Sequence, residues 1–524
     1  MAKASGPIVG LDIGSSFIKV AELAFRQGRP EVIAVGLMPT PPDAVIQGLV
    51  IDPPALGLII KHLIEISGIR AKRVISSVAG ANNVAVRIVE VPKMSEKELG
   101  DTMKFEIDRF VPFAHGQEIE RAFQSLPVPA TSDANIQVLL AVAVQDVVTA
   151  HLQAVRAAGL EPVAVEVEPV AVARALTAFA EDGHPLNETV GIVNLGAAST
   201  ELSIVTGGLL IFPRTISIGG DSFTKAIAEN LGLRVDAAER LKRQYAAVDM
   251  DRVAAAQSSS SFGDGSFSDF ASSGEGDSPF GSSFDFNSQS PAVSAAPGLN
   301  PFLYGGPGAA PSPSAAGARP GDVPGFAPPS EEDSSVNTGS IFDLGSDAGG
   351  GSPLFGGGPG GGSPFEMGFA GGPDSTFGGG PDGIGAAPSF GGGAASPEDE
   401  EAQMAKQVQD VLSPVLGELV TELRRSLEYY RSHNEALPLA RLILCGGSAK
   451  IPNLCQFLET ELGISVSIAD PLAHTHIIPT FESSASREWL QDVAPLFPVA
   501  IGLAEREMVA IPKDYVPKTL TSAS

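Results

Sequence analysis

Two short phrases, about a domain's length apart, constrain this chain more than any other feature. From Ile8 an apolar run ends in Asp12-Ile13-Gly14-Ser15-Ser16, and a second apolar run, Phe17 to Leu23, begins at once. From Val190 the pattern returns: an apolar run, then Asn194, Leu195, Gly196, Ala197 and Ala198, then another run to Val205. Each reads as a β-hairpin turned on small residues. Gly14 has no Cβ, so a ligand can approach its backbone closely. The amides of Gly14, Ser15 and Ser16 suit a concavity for phosphate oxygens. Asp12 suits a hydrated Mg²⁺, which keeps several of its waters, and Lys19 adds a point charge. One such phrase is an ordinary surface turn. Two of them point to a duplicated fold with one ligand between its halves.

A third phrase completes the set. Leu442 to Cys445 is a strand-like run that ends in Gly446-Gly447, and Ser448 to Asn453 then opens a helix. A flat base or ribose can lie against that glycine-bare backbone. In this order the three phrases resemble the phosphate 1, phosphate 2 and adenosine motifs of the actin/Hsp70/FtsA superfamily. Glu166 to Leu176 resembles the connecting helix before phosphate 2. Its Glu168 matches the position where actin-like ATPases orient a water. Ile216 to Lys225, with Gly219 and Gly220, resembles the glycine pair beside the phosphates. Ala237 to Lys242 resembles the helix whose Glu239 and Lys242 embrace ribose and adenine. Within the superfamily the likeness is to the PilM family of type IV pilus assembly proteins, carried by Val9–Leu23, Phe110–Phe113, the Ile218–Thr224 run and Leu419–Tyr430.

The resemblance implies an α/β, actin-like duplicated fold: ribonuclease H-like halves, an FtsA-like 1C subdomain and a long disordered insertion. The expected map is subdomain 1A at 6–84, 1C at 85–162, 1A again at 163–188, 2A/2B at 189–248, the insertion at 249–398, 2B helices at 399–440, 2A again at 441–512, and a flexible tail at 513–524. Ser95 with Glu98 marks a capping box at a helix start in 1C. Glu401–Tyr430 has apolar residues at helical spacing, and Pro414 is expected to kink or end that helix.

The insertion is a different polymer. Residues 253–397 hold a single basic residue, Arg319, among Gly, Ser, Pro and Ala. Such a segment cannot bury enough apolar area to offset chain entropy. Its phenylalanines recur in short phrases ending at Phe280, Phe302, Phe355 and Phe365.

A net charge of −27 makes nucleic acid an improbable partner. The two cysteines, Cys445 and Cys455, give no disulfide framework. No signal peptide or membrane-length apolar run is read, so the expected place is the cytoplasm. No direct membrane insertion is expected, only association with the inner membrane through partners.

The resemblance further implies an ATP–Mg²⁺ complex between the halves. Asp12 would hold the metal through water. The backbones of Gly14–Ser16 and of Gly196, Ala197 and Ala198 would hold phosphates, with Lys19 as their counter-charge. Gly219 and Gly220 would line the phosphates, Glu239 and Lys242 the ribose, and Gly446 and Gly447 the adenine, with Lys450 nearby. Asn194 stands where many superfamily members carry Asp, which moves the expectation from turnover toward binding. Implied partners are the N-terminal cytoplasmic peptide of PilN in a 1A/1C groove, other pilus platform proteins and motor ATPases. A homo-oligomeric ring is also open. The rival reading is an FtsA-like filament protein. The segment Lys104–Phe113 is the pointer to the peptide groove.

Overall fold

The computed structural model describes residues 7–26, 29–95, 97–103, 111, 116–127, 134–179, 186–253, 397–472, 476–477 and 487–509. The body of the insertion, the tail and all of Lys104–Phe113 except Val111 lie outside the described residues.

The first phrase folds as a hairpin. Strands β1 (Ile8–Ile13) and β2 (Phe17–Arg26) pair antiparallel with Asp12 opposite Lys19, and β3 (Arg29–Pro39) continues the meander. Helix α1 (Pro53–Ile66) starts where Asp52 accepts from the Ala55 amide at 3.0 Å, and prolines fill its first turn. It buries Leu56, Ile60 and Leu63 on one face. Strand β4 (Arg73–Val78) then lies parallel to β1.

A separate antiparallel sheet interrupts this half. Its strands β5 (Val84–Pro92), β6 (Ile119–Leu126) and β7 (Asn135–Val144) take the order β5-β7-β6. The Ser95 capping box forms, with Glu98 accepting from the Ser95 amide at 2.9 Å. Helix α2 (Gln145–Ala157) then leaves the small sheet and packs Ala154 and Val155 into the cluster of Leu56, Ile60 and Leu63. Its Val147, Val148 and Leu152 also pack with Val84 and Leu139 of the small sheet, so α2 bridges the small sheet and α1. Strand β8 (Glu161–Val167) lies parallel to β4 and leads into helix α3 (Glu168–Thr177).

The second half repeats the plan. It contains β9 (Thr189–Leu195), β10 (Thr200–Thr206), β11 (Leu209–Ile216), α4 (Gly220–Leu231), α5 (Val235–Tyr245), α6 (Pro397–His433), β12 (Arg441–Cys445), α7 (Leu454–Leu462) and β13 (Val466–Ile468). Strand β14 (His476–Ile477), helix α8 (Arg487–Val493) and helix α9 (Pro498–Ala504) follow. The first sheet is ordered β8-β4-β1-β2-β3-β14, and the second β11-β10-β9-β12-β13. Without β14, the two five-strand orders coincide, with the same parallel and antiparallel senses.

Pro414 does not end α6, which continues through it to His433. The helix holds because Leu412, Leu416, Leu419 and Leu423 are all buried in the core of the second half. Tertiary packing outweighs the one lost backbone bond.

Helix α9 is wedged against β1 and α3 at backbone contact. A Cβ on Gly10 would fall 1.8 Å from the Ala500 carbonyl oxygen, and one on Gly502 would fall 1.8 Å from that of Ala171. Close approach of this kind is possible only for glycine. Gly502→Ala should therefore destabilise by about 3 kcal/mol, the upper end of overpacking. Gly417→Ala, on an exposed stretch of α6 with nothing within 4 Å of the added carbon, should instead stabilise by about 0.5–1 kcal/mol. Urea denaturation of both variants checks the contrast.

Candidate functional site

The two turns are built alike. The Gly14 amide donates to the Phe17 carbonyl at 3.1 Å, and the Gly196 amide donates to the Ser199 carbonyl at 3.0 Å. Thr40 pins the first turn, its hydroxyl donating to the Gly14 carbonyl at 2.7 Å and its amide to the Ser16 carbonyl at 2.9 Å. Thr200 ties the second to the glycine pair by donating to the Ile218 carbonyl at 2.6 Å. The amides of Gly14 and Gly196 are used in closing the turns, which leaves those of Ser15, Ser16, Ala197 and Ala198 as the candidate donors of each concavity.

Asp12 is buried at the end of β1. Its Oδ2 pairs with Lys19 Nζ at 2.5 Å, while its Oδ1 is buried with no hydrogen-bond partner. Glu168, the first residue of α3, faces the same place. Burial, and then the charges of Asp12 and Glu201, push its carboxyl well above the usual range, with Lys19 opposing. Glu201 on β10 is buried, and its Oε2 also lacks a partner. Burial and the Asp12 charge push Glu201 up to about 7. Asp12, Lys19, Glu168 and Glu201 thus form one electrostatic group fed by both halves. The sequence reading did not single out Glu201. The available signal was register: Glu201 lies opposite Asn194 as Lys19 lies opposite Asp12.

The remaining second-half residues converge on the second turn. The Gly220 amide donates to the Gly196 carbonyl at 2.9 Å, and the Asp221 amide to that of Ala197 at 2.8 Å. Lys242 Nζ reaches the Gly220 carbonyl at 3.0 Å, the Thr224 hydroxyl at 2.8 Å and Glu239 Oε2 at 2.6 Å. Gly446 has φ +92°, and a Cβ there would fall 2.4 Å from the Leu195 carbonyl oxygen and 2.8 Å from Asn194 Oδ1. Only glycine meets both demands. Gly447 beside it faces open space. Cys445 donates to Asn194 Oδ1 at 3.7 Å. Lys450 follows the loop, but its ammonium is ion-paired with Asp492 of α8. Across the halves, the Arg243 guanidinium lies 5.5 Å from the centre of the Phe17 ring, within cation–π range.

A cavity of about 110 Å³ lies elsewhere, between the small sheet, α3 and the turn from β10 into β11 at Gly208–Leu210. Leu126 and Leu139 line it from the sheet, Val170 and Ala173 from the helix, with Gln124 and Arg174 as polar groups. Among the described residues, no group of three or more His, Cys, Asp or Glu is placed to ligate a metal directly. Among them, no helix is long and apolar enough to cross a membrane.

The family model for the type IV pilus assembly protein PilM matches residues 10–249 and 394–508, more than half of the chain. The chain belongs to this family. A solved structure of a PilM–PilN type IV pilus biogenesis complex aligns over 97% of this chain and 99% of that chain, at 22% identity and TM-score 0.59. EutJ, an ethanolamine utilization protein from Carboxydothermus hydrogenoformans, aligns over 97% of this chain and 92% of that one, at 12% identity and TM-score 0.41. The cell division protein FtsA of Bacillus subtilis is 32% identical over 93 residues, 18% of this chain. The match spans about a fifth of that curated relative's length. With the doubled strand order, the family places the chain in the actin-like fold, the small sheet standing as its FtsA-like 1C subdomain.

The Asp12–Lys19 pair gives a test of this electrostatic group. Lys19→Met leaves Asp12 buried beside two further acids and should destabilise by about 3 kcal/mol. Asp12→Asn leaves the lysine but relieves repulsion on Glu168 and Glu201, so it should cost clearly less. Chemical denaturation at neutral pH without added metal or nucleotide ranks the two.

Proposed function

We propose that this family member binds ATP as a magnesium complex between its two halves and uses that state in type IV pilus assembly, as a scaffold for the N-terminal cytoplasmic peptide of PilN. The observation that carries the nucleotide reading is the paired-turn geometry. Two like concavities, one from each half, stand with a buried, partner-free carboxylate oxygen at Asp12 and a lysine beside it. Such an oxygen fits a hydrated divalent cation, whose waters would satisfy it. Ser15, Ser16, Ala197 and Ala198 would donate to phosphate oxygens. Lys19 and the N-terminus of α4 at Gly220 would add positive potential. Glu239 and Lys242 would hold the ribose, and Gly446 and Gly447 would admit the base.

Bound magnesium would neutralise phosphate charge. Glu168 would orient a water, and the neutral amide of Asn194 keeps turnover low. The cavity beside the small sheet and α3, apolar at Leu126, Leu139 and Val170 and polar at Gln124 and Arg174, is a fitting place for peptide side chains. The relative solved as a PilM–PilN complex supports PilN as the partner. Nucleotide would tilt the halves, as hinge closure does, and pass that posture to platform proteins and motor ATPases at the inner membrane.

Calorimetry on the full chain with ATP and magnesium should give saturable heat, abolished in Gly446→Val. Phosphate release should be slow in the unmodified protein and faster in Asn194→Asp. A resin-bound PilN N-terminal peptide should retain the chain. Lack of heat with ATP removes the nucleotide reading, and failure to be retained removes the partner.

A further inference from the structure

Phe17 closes the first turn: its carbonyl accepts from the Gly14 amide at 3.1 Å. Its half-buried ring meets the second half, where the Arg243 guanidinium lies 5.5 Å from the ring centre. Arg243 belongs to α5, the helix that also carries Glu239 and Lys242. Its Nε donates to Glu239 Oε1 at 2.9 Å. Glu239 Oε2 takes Lys242 Nζ at 2.6 Å and the Thr224 hydroxyl at 2.6 Å. A continuous chain of contacts therefore runs from the first phosphate turn, through a ring and a guanidinium, to the carboxylate at the ribose end.

The place of this contact matters more than its strength. The halves share a buried core that takes in Ile8 at the start of β1, with Val190 and Ile192 near the start of β9. Phe17 lies past the opposite end of β1, beyond the turn, and there Arg243 reaches it. The Arg243 side chain is 59% exposed, so the contact stands at the rim and not in the core. The halves are thus joined by packing at one end of the strands and by an exposed cation–π contact at the other. An exposed contact of this kind is weak enough to break and re-form.

We propose that Phe17 and Arg243 form a clasp across the mouth of the nucleotide cleft, which opens for the nucleotide to enter and to leave. This rests on the nucleotide reading above and goes beyond it by assigning a gate to nucleotide exchange. Arg243 suits the task because its planar guanidinium stacks on an aromatic face while its Nε holds a carboxylate. Glu239 anchors the clasp on a residue of the site that it closes. The clasp is made across the entrance, not with the nucleotide. Loosening it therefore speeds entry and exit together and changes affinity less than either rate. Loss of a direct contact to the nucleotide mainly raises exit.

The test is exchange of radiolabelled ATP in magnesium on the full chain, read by rapid filtration. Entry is followed after mixing, and release after a chase with excess unlabelled ATP. Phe17→Leu keeps apolar volume, removes the ring face and leaves the Arg243–Glu239 pair in place. It should raise both rates by about two- to fivefold, the strength of an exposed cation–π contact, with affinity shifted by less than either. Phe17→Tyr keeps the ring and should exchange like the unmodified protein. Arg243→Met should also raise both rates. The double variant should be no faster than Arg243→Met alone, because partners in one contact do not add. Thermal melts check folding, and if Phe17→Leu melts early, Arg243→Met at its exposed position carries the test. Unchanged rates in folded Phe17→Leu, faster release with unchanged entry, or additive effects in the double variant overturn the clasp alone. Absence of ATP binding by the unmodified protein overturns the nucleotide reading and the clasp with it.

Discussion

The rest of the site depends on one arrangement: Asp12 buried at the end of a central strand with a single lysine as its counter-charge. A carboxylate taken out of water needs compensation of several kcal/mol. Lys19, opposite it on the adjacent strand, supplies part through Oδ2. The same spot also receives Glu168 and Glu201, and both are pushed toward the neutral form. Three acids against one ammonium is a surplus of carboxyl groups, and without a further cation two of them are driven toward the uncharged form. A fold built only for stability would replace these acids with apolar groups of similar size, which often costs nothing. The surplus makes sense as the receiving side for a cation.

The duplicated sheet explains how acids so distant in sequence come together. Each half ends its first hairpin in the same closed turn, with a glycine amide donating back to the carbonyl three residues on. The loops after β11 and β12 then build outward from the second turn, through Gly220 against Gly196 and Gly446 against Leu195. Among the described residues, the first turn carries no such additions and is braced by Thr40 instead. That asymmetry gives the second half the groups proposed for ribose and base, and leaves the first with the lysine and its paired aspartate.

Most of this was legible in the sequence because it is local. Small residues between two apolar runs specify a turn by backbone sterics, and register then fixes Asp12 opposite Lys19. What was missed depends on distance. Glu201 reads as one polar residue in an alternating strand, and only the fold turns its side chain toward Asp12. Pro414 reads as a breaker, because the sequence alone does not show that Leu412, Leu416, Leu419 and Leu423 are buried together in the second core. Lys450 lies beside the glycine loop in sequence, yet Asp492 takes its charge.

The long interruption between α5 and α6 is tolerated for a related reason. Arg252 pairs with Asp410 at 2.7 Å, tying the chain just before the interruption to the helix just after it. The Asn453 amide also donates to the Val248 carbonyl at 3.0 Å, anchoring the same end to the loop before α7. Both flanks are thus fixed to the second half by their own contacts. Loop closure cost grows only with the logarithm of length, so once the ends are held, a long segment adds little penalty. Among the described residues, the second core runs from Val193 through Leu427 to Val466 and takes in both flanks, Val248 and Val408.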